Sequence, residues 1–300
     1  MKHYLLSLFI TLMFANGATS AANSITYQRA DSIRVVELLK AAPKTQSSEE
    51  LIMFYANKLA GLPYVAQTLE VNAKEQLVVN LREMDCTTFV ENVIALALTA
   101  NNGGKTFDEF GKNLTLIRYR DGKLNGYASR NHYFSQWIDS NTGLGLVKEI
   151  SGSVSDKRGA YYPFVDRQTL ACTYMSEHPD RYPMLKDDKA AQQLISTNEK
   201  KVNGKRVRYI PKRLVGKGKS ELECIHDGDI IAIVTNKKGL DISHIGFAKW
   251  GKDGRLHLYN ASSIHKKVIL EPKTLETYMN EHPSQLGIRI IRPVLPQSTP

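Results

Sequence analysis

The chain has 300 residues, of which 42% are hydrophobic and 23% are charged, and this composition excludes a disordered or collagen-like protein. It suits one large globular domain, or one domain that carries a sizeable insertion. The formal net charge of +10 favours an anionic partner, and a basic, solvated surface explains the charge equally well.

The first 22 residues have the three parts of a cleaved secretory signal. Lys2 and His3 precede an apolar run from Tyr4 to Phe14, and small residues follow as far as Ala22. The run is too short to span a bilayer, and no later stretch is apolar enough to do so. We therefore expect an exported, periplasmic protein without stable membrane insertion. Export argues against a nucleic acid partner and favours a carboxylate-bearing polymer such as the peptide stems of a cell wall.

Three cysteines, Cys86, Cys172 and Cys224, are an odd number for an oxidising compartment, so at least one is free or paired elsewhere. A chain of this size does not need a disulfide framework. The simplest account leaves Cys86 free and makes the other two either buried thiols or one bridge. The sequence does not choose between those two states.

Two helices are predicted in the first part of the mature chain, at 32–41 and 48–59, with Ser47 or Ser48 as the cap of the second. A Gly-Leu-Pro turn follows and holds Tyr64 on a constrained loop about twenty residues before the first cysteine. This turn is a common motif and carries little information by itself.

The segment 81–98, LREMDCTTFVENVIALAL, predicts a buried apolar helix with a cysteine at its start. Asp85 and Thr87 are both suitable N-cap residues, so Cys86 lies at the helix start or within one residue of it. Unpaired N–H groups and the positive end of the helix dipole favour a thiolate there, which predicts a nucleophile. Judged by position alone, such a cysteine is more often a small core hydrophobe.

A loop-rich insertion is predicted at about 105–223. Its first part, 116–137, is dense in Arg, Tyr, His and Gly, and its Asp-Gly and Asn-Gly pairs mark tight turns. Loops with arginines and aromatics commonly bind carboxylates and sugar rings, whereas a single arginine more often forms a surface ion pair. The residues that we predict to contact substrate here are Arg118, Arg120, Arg130 and His132. The rest of the insertion is polar and rich in Lys, which indicates a peripheral elaboration.

An antiparallel meander is predicted after Asp227, with strands at 230–234, 242–250 and 255–260. By the two-residue period of a strand, His244 shares a face with Ile242, Gly246 and Ala248. The glycine is expected to leave open space beside the imidazole ring.

The second hairpin of this meander brings a polar partner to His244. A four-residue loop makes His244 face Ala261, a loop one residue longer makes it face Asn260, and Asn260 is adjacent in both cases. Its amide oxygen can accept the imidazole N–H and leave the other nitrogen free to take a proton from Cys86. The competing interpretation is a half-buried strand histidine beside a turn-forming asparagine. The other histidines have no metal-ligand spacing, so a zinc hydrolase is disfavoured.

Several motifs occur together in one order: Gly61-Leu-Pro-Tyr64, Asp85-Cys86-Thr-Thr-Phe-Val90 and Ser243-His244-Ile-Gly246, with a polar residue one strand later. This arrangement resembles the NlpC-type, papain-like cysteine hydrolases that cut bacterial peptidoglycan. More closely, MDCTTFVE, IRYRDG with SRNHYF, GLDISHIGFA and NASS resemble the N-acetylmuramoyl-L-alanine amidase-like branch of that superfamily. The resemblance runs from about residue 51 to 292.

The resemblance implies an α+β fold with a papain-like NlpC-type core, in which an antiparallel sheet packs on the helix that carries the nucleophile. It implies a signal peptide at 1–22, a single cysteine hydrolase domain at 23–296 and a frayed tail at 297–300. Cys86 corresponds to the nucleophile, His244 to the general base and then acid, and Asn260 to the orienting residue. Relatives often have histidine at the last position, and a neutral amide supplies no charge.

The same motifs imply substrate contacts. Tyr64 is expected to line the cleft, Asp85 and Ser243 flank the two catalytic residues, and the backbone N–H of Cys86 is expected to donate to an oxyanion. The implied activity is a monomeric amidase that needs no cofactor or metal and acts on peptidoglycan or muropeptide fragments. Two alternatives stay open: an endopeptidase that cuts the γ-D-glutamyl bond of the stem peptide, and a non-catalytic wall-binding protein.

Overall fold

The computed structural model describes residues 25–45, 47–151 and 166–295. The predicted signal peptide (1–22) and frayed tail (297–300) lie outside the described residues. The described helices are α1 (Arg29–Lys40), α2 (Ser48–Lys58), α3 (Cys86–Asn101), α4 (Phe107–Arg118), α5 (Phe134–Gly143), α6 (Tyr174–Glu177), α7 (Lys189–Val202), α8 (Lys212–Val215) and α9 (Leu275–Asn280). The strands are β1 (Ile25–Thr26), β2 (Leu77–Val78), β3 (Val147–Glu149), β4 (Asp166–Thr169), β5 (Arg206–Pro211), β6 (Ile230–Thr235), β7 (Ile242–Trp250), β8 (Leu256–Ser262), β9 (Lys267–Leu270) and β10 (Gln285–Pro293).

A large antiparallel sheet lies at the centre of the fold. Among the described residues it has eight strands in the order β4-β5-β10-β6-β7-β8-β9, and β3 also pairs with β10. β1 and β2 form a separate parallel pair. The mixed class with an antiparallel sheet and helices agrees with the α+β prediction. No described helix is both long enough and apolar enough to cross a bilayer.

Helix α3 is the buried helix of the first core. Asp85 is its N-cap and accepts from the backbone N–H of Thr88, so Cys86 is the first helical residue, as the sequence predicted. The helix packs on β7 and β8: the ring of Phe89 lies 5.6 Å from that of Phe247 and 6.1 Å from that of Tyr259. Helices α1 and α2 form close to the predicted ranges, with Ser47 capping α2.

The predicted insertion, 105–223, contributes to the main core and to the large sheet. Helices α4 and α5 supply Phe110, Leu114, Ile117 and Trp137 to the same core as α3, because one face of each is apolar. Strand β5 pairs with β10 at the centre of the sheet. The segment around α6 and α7 builds a separate core with Tyr127, Ala128 and Tyr133, and this core contains Cys172.

The meander is present, and its details differ from the sequence prediction. Phe247 pairs with Tyr259 and Trp250 with Leu256. Strand β8 therefore begins one residue later than predicted, and neither predicted register is present. A bulge between β6 and β7 lies next to Ser243. Ile242 therefore packs with the α3 core, whereas Ala248 packs in the core on the other side of the sheet.

The space beside Gly246 is filled rather than open. A Cβ at this position would lie 2.5 Å from the carbonyl oxygen of Tyr259 and 3.0 Å from the Cβ of Asn260. The missing side chain therefore lets strand β8 approach β7 closely, and it brings Asn260 to a diagonal position from His244.

Candidate active site

A cleft of about 290 Å³ opens at the start of helix α3. One wall is formed by the first turn of α3, from Asp85 to Glu91, and a second by the start of β7. The loop before α5 forms a third wall, and Tyr174, Met175 and Tyr182 close the side contributed by the insertion. The cleft thus contains the only two side chains, Cys86 and His244, that the sequence predicts to exchange a proton.

Cys86 is half-buried and lies in the cleft, not sealed inside the core. The backbone N–H of Ile245 and the hydroxyl and backbone N–H of Thr87 lie near its sulfur and lower the pKa of the thiol. The N–H of Ala248 donates to Asp229 on the β6 side, so by strand alternation the N–H of Ile245 points to the β8 side, beyond the last β7–β8 pair. The sulfur therefore lies on the β8 side of β7, beside the residue that follows His244.

The ionisation of Cys86 differs from the sequence expectation. Burial, followed by the carboxylate of Asp85, raises the pKa of the Cys86 thiol to about 12. The N–H groups of Ile245 and Thr87 lower this pKa by a smaller amount. Desolvation of the sulfur outweighs the favourable helix terminus, so the free site holds a neutral thiol.

His244 has the partner that the sequence predicted. Its Nε2 lies 3.0 Å from the Oδ1 of Asn260, whose Nδ2 donates in turn to the carbonyl of Leu258. Because an amide oxygen only accepts, Nε2 carries the proton and Nδ1 is the basic nitrogen. Burial lowers the pKa of His244, so the imidazole is neutral and able to accept a proton near neutral pH.

Three further residues from the sequence motifs lie close to this pair. Asp85 and Ser243 line the cleft, and the hydroxyl of Ser243 donates to the carbonyl of Ile233. Burial and the nearby Cys86 and Asp85 groups raise the pKa of Tyr64 to about 12. Tyr64 is therefore a neutral phenol near Cys86, and it is not among the residues that line the cleft, contrary to the expectation from the sequence.

Two of the four predicted substrate contacts are not in the cleft. Arg118 is fully buried, pairs with Glu91 at 2.7 Å and donates to the carbonyl of Val78. Arg120 donates to the side chain of Asn198 and lines a different cavity. Both arginines hold structural partners because α4 ends inside the core, and this was not visible in the local sequence.

Arg130 and His132 do line the cleft, and both are also bound within the protein. Arg130 pairs with Glu70 at 2.6 Å and with Glu75 at 3.4 Å, and its guanidinium lies over the ring of Tyr127. Nε2 of His132 lies 2.8 Å from the carbonyl oxygen of Tyr127. Burial, and then the charge of Arg130, lower the pKa of His132 to about 3.

Sequence reasoning missed several residues of the cleft. Tyr174, Met175 and Tyr182 come from the far part of the insertion, where no local pattern indicated a role. Asn131 lies inside the SRNHYF motif, between two residues that were singled out, so this motif was the available signal. All three cysteines are free thiols, and no group of three or more potential ligands within the described ranges could hold a metal ion.

A family model described as N-acetylmuramoyl-L-alanine amidase-like (AmiA-like) matches residues 55–288. The chain belongs to this family. No curated protein matches it.

Solved crystal structures resemble the chain over nearly their full length. An N-acetylmuramoyl-L-alanine amidase from Bacteroides uniformis is 36% identical with a TM-score of 0.73, over 82% of this chain and 99% of that one. A proposed xylanase from Bacteroides fragilis is 40% identical with a TM-score of 0.72, over 79% of this chain and 99% of that one. A Legionella pneumophila protein is 26% identical with a TM-score of 0.68, over 89% and 95% of the two chains.

Proposed function

We propose that this protein is a cysteine-dependent N-acetylmuramoyl-L-alanine amidase with a papain-like NlpC-type core. It cleaves the bond between N-acetylmuramic acid and the L-alanine of the stem peptide. The observation that carries the proposal is one cleft that contains Cys86 at a helix start and His244 oriented by Asn260. Family membership and the Bacteroides uniformis amidase support the choice of bond.

The chemistry follows from a neutral thiol and a neutral imidazole. As the sulfur of Cys86 attacks the lactyl carbonyl carbon, Nδ1 of His244 takes the thiol proton, so no free thiolate is needed beforehand. The backbone N–H of Cys86 has no partner inside its helix and can donate to the oxyanion that forms. His244 then returns the proton to the departing amine of L-alanine as the C–N bond breaks, which leaves a thioester on Cys86.

Water completes the reaction. His244 removes a proton from the water as its oxygen attacks the thioester carbonyl, the C–S bond breaks, and the sulfur recovers the proton. The products are N-acetylmuramic acid with a free lactyl carboxyl group and a free stem peptide. Asn260 holds the imidazole in one tautomer through both steps, and it adds no charge to the site.

An endopeptidase that cuts the γ-D-glutamyl bond uses the same groups, so product analysis decides between the two activities. We expect digestion of a purified disaccharide tetrapeptide to release the intact stem peptide, as measured by mass spectrometry. A disaccharide that keeps L-Ala-D-Glu would instead establish the endopeptidase. Binding without any product, equal in the wild type and in Cys86→Ala, would establish the wall-binding protein.

A glycosidase, as the name of the Bacteroides fragilis neighbour suggests, is less well supported. Glycoside hydrolysis needs two carboxyl groups poised around the sugar bond. The four carboxylates that line the cleft are engaged within the protein, namely Glu70 by Arg130, Asp85 by Thr88, Glu91 by Arg118 and Asp241 by backbone N–H groups. We expect no release of sugar from xylan.

Export to the periplasm with removal of residues 1–22, and a monomeric state, belong to the same proposal. The motivation is the pattern of the first 22 residues. Expression of the full chain, N-terminal sequencing of the periplasmic product and light scattering test both points. A cytoplasmic product that keeps Met1 would contradict the export proposal.

A further inference from the structure

Asn131 is a buried polar residue in the cleft whose side chain is not used by the protein. It lines the cleft and is only 7% exposed. Neither its Oδ1 nor its Nδ2 has a hydrogen-bond partner within the described part of the chain. Burying an amide without partners is costly, and buried polar groups in folded proteins are nearly always bonded. A side chain of this kind calls for a partner from outside the protein.

The backbone around Asn131 is held firmly. Its own N–H donates to the carbonyl of Arg118 at 3.0 Å. The residue before it, Arg130, is fixed by Glu70, and the residue after it, His132, is fixed by the carbonyl of Tyr127. The carboxamide is therefore presented to the cleft by a rigid segment, as in a preorganised binding site.

Another buried asparagine, 10 residues further along the chain, shows what a structural role requires. Asn141 is fully buried, and its Nδ2 donates to the carbonyls of Ile117 and Trp137 at 3.0 and 2.9 Å, whereas its Oδ1 has no hydrogen-bond partner in the described part of the chain. It thereby joins α5 to the end of α4. Asn131 makes no such side-chain bond, so no contact within the described part of the chain explains a polar side chain at this place.

A carboxamide offers one N–H donor and one C=O acceptor side by side, and its complement is a group that offers the same pair. We propose that Asn131 is a substrate-binding residue whose carboxamide pairs with the N–H and C=O of an amide-bearing part of the muropeptide. Such an amide has two sources, a residue of the stem peptide in extended conformation and the acetamido group of the sugar. The inference rests on the proposed function, because it takes the same cleft as the substrate site.

The test uses two replacements of Asn131 and one matched control in the full mature chain. Asn131→Leu removes both polar atoms at nearly constant shape, and Asn131→Asp keeps the acceptor but replaces the N–H donor by a charged carboxylate oxygen. We expect kcat/KM on disaccharide tetrapeptide to fall about 10- to 100-fold for both variants, because polar substrate groups are left unpaired. For Asn131→Leu we expect an unchanged or higher free energy of unfolding, because orphaned polar atoms disappear. Asn141→Leu is expected to lower the free energy of unfolding.

A merely structural Asn131 would give results that differ from those of a substrate-binding residue. A structural role predicts that Asn131→Leu unfolds at lower urea concentration and that the remaining folded protein turns over substrate normally. Either that pattern or an unchanged kcat/KM in both variants overturns the inference, while the amidase proposal stands.

Binding to the inactive Cys86→Ser protein identifies the amide. Calorimetric titrations with N-acetylmuramic acid and with free stem tetrapeptide are compared with and without Asn131→Leu. If Asn131→Leu lowers the affinity for the peptide, the contact is assigned to the stem. If it lowers the affinity for the sugar, the contact is assigned to the acetamido group. If Asn131→Leu changes neither affinity, the inference is overturned. If wild-type protein neither binds nor cleaves the disaccharide tetrapeptide, the proposed function itself fails, and the inference fails with it.

Discussion

At the scale of single residues, Cys86 lies between two opposing influences. The start of α3 and the N–H groups of Ile245 and Thr87 favour the thiolate, whereas burial and the Asp85 carboxylate oppose it. The opposing influences are larger. In the proposed reaction this residue therefore depends on His244 to remove its proton during attack, and the helix terminus contributes mainly N–H donors.

Replacing Asp85 by Asn tests this balance. The variant removes the charge that raises the pKa of Cys86, and Asn is also a good N-cap, so α3 keeps its start. We expect the pH profile of iodoacetamide labelling at Cys86, followed by mass spectrometry of its peptide, to move to lower pH. Asp188→Asn at the N-cap of α7 is the control and should leave the profile unchanged. An identical profile in Asp85→Asn would show that the carboxylate does not govern the thiol.

His132 predicts how stability changes with acid. Its pKa is about 3 in the folded protein, against an ordinary value of about 6.5 in an unfolded chain. Between these values the unfolded chain binds a proton that the folded protein does not, so the free energy of unfolding falls as pH decreases from about 6.5 towards 3. In urea unfolding measured between pH 7 and pH 4, the free energy of unfolding should fall less steeply with decreasing pH for His132→Gln than for the wild type. His244, whose pKa is also lowered, adds a similar loss in both proteins, so parallel curves would contradict the assignment.

The sequence was informative about residues whose role is set locally. A capping residue beside a cysteine predicted the start of α3, and alternation on a strand placed Asn260 near His244. It was not informative about Arg118, because its partner Glu91 lies 27 residues earlier and the two meet only through helix packing. The same limit applies to Asn131, since an unbonded side chain is recognisable only once its surroundings are known.

At the scale of elements, the pairing of β7 with β8 determines how His244 and Asn260 meet. The predicted adjacency of His244 and Asn260 is present even though the predicted register is not. Gly246 faces Asn260 closely, and His244 reaches Asn260 diagonally across the pair. The loop length could not be predicted because Gly251 closes the turn with Arg255, which the sequence assigns equally well to the strand.

Gly246→Ala tests the close approach of these strands. The new methyl group would meet backbone at 2.5 Å, so β8 has to move and take Asn260 away from His244. We expect the free energy of unfolding to fall by about 1–3 kcal/mol and kcat to fall as the imidazole loses its orienting bond. Gly143→Ala is a matched control with nothing within 4 Å of the added Cβ, and it should be neutral or stabilising. A Gly246→Ala protein with normal kcat would show that the diagonal contact is dispensable.

At the scale of the whole molecule, the cleft joins parts of the chain that lie far apart in sequence. Cys86 comes from α3 and His244 from β7, and the wall with Tyr174, Met175 and Tyr182 comes from the insertion. Composition predicted one large domain with an insertion, and only the polar part of that insertion, 139–223, was expected to be peripheral. The sequence did not show that α4 and α5 belong to the main core, because their packing partner α3 lies outside the insertion.

Excision of residues 105–223, replaced by a short Gly/Ser linker, measures how far the insertion is part of the domain. The deletion removes Phe110, Leu114, Ile117 and Trp137 from the core of α3 and leaves an edge of β10 without β5. Losing several large buried side chains at about 2–5 kcal/mol each exceeds the stability of an ordinary domain. We expect the shortened chain to show no cooperative thermal transition by circular dichroism and no compact species in light scattering. A cooperative transition would mean that α3 and the meander form an independent unit. The insertion would then add walls to the cleft without being needed for the fold.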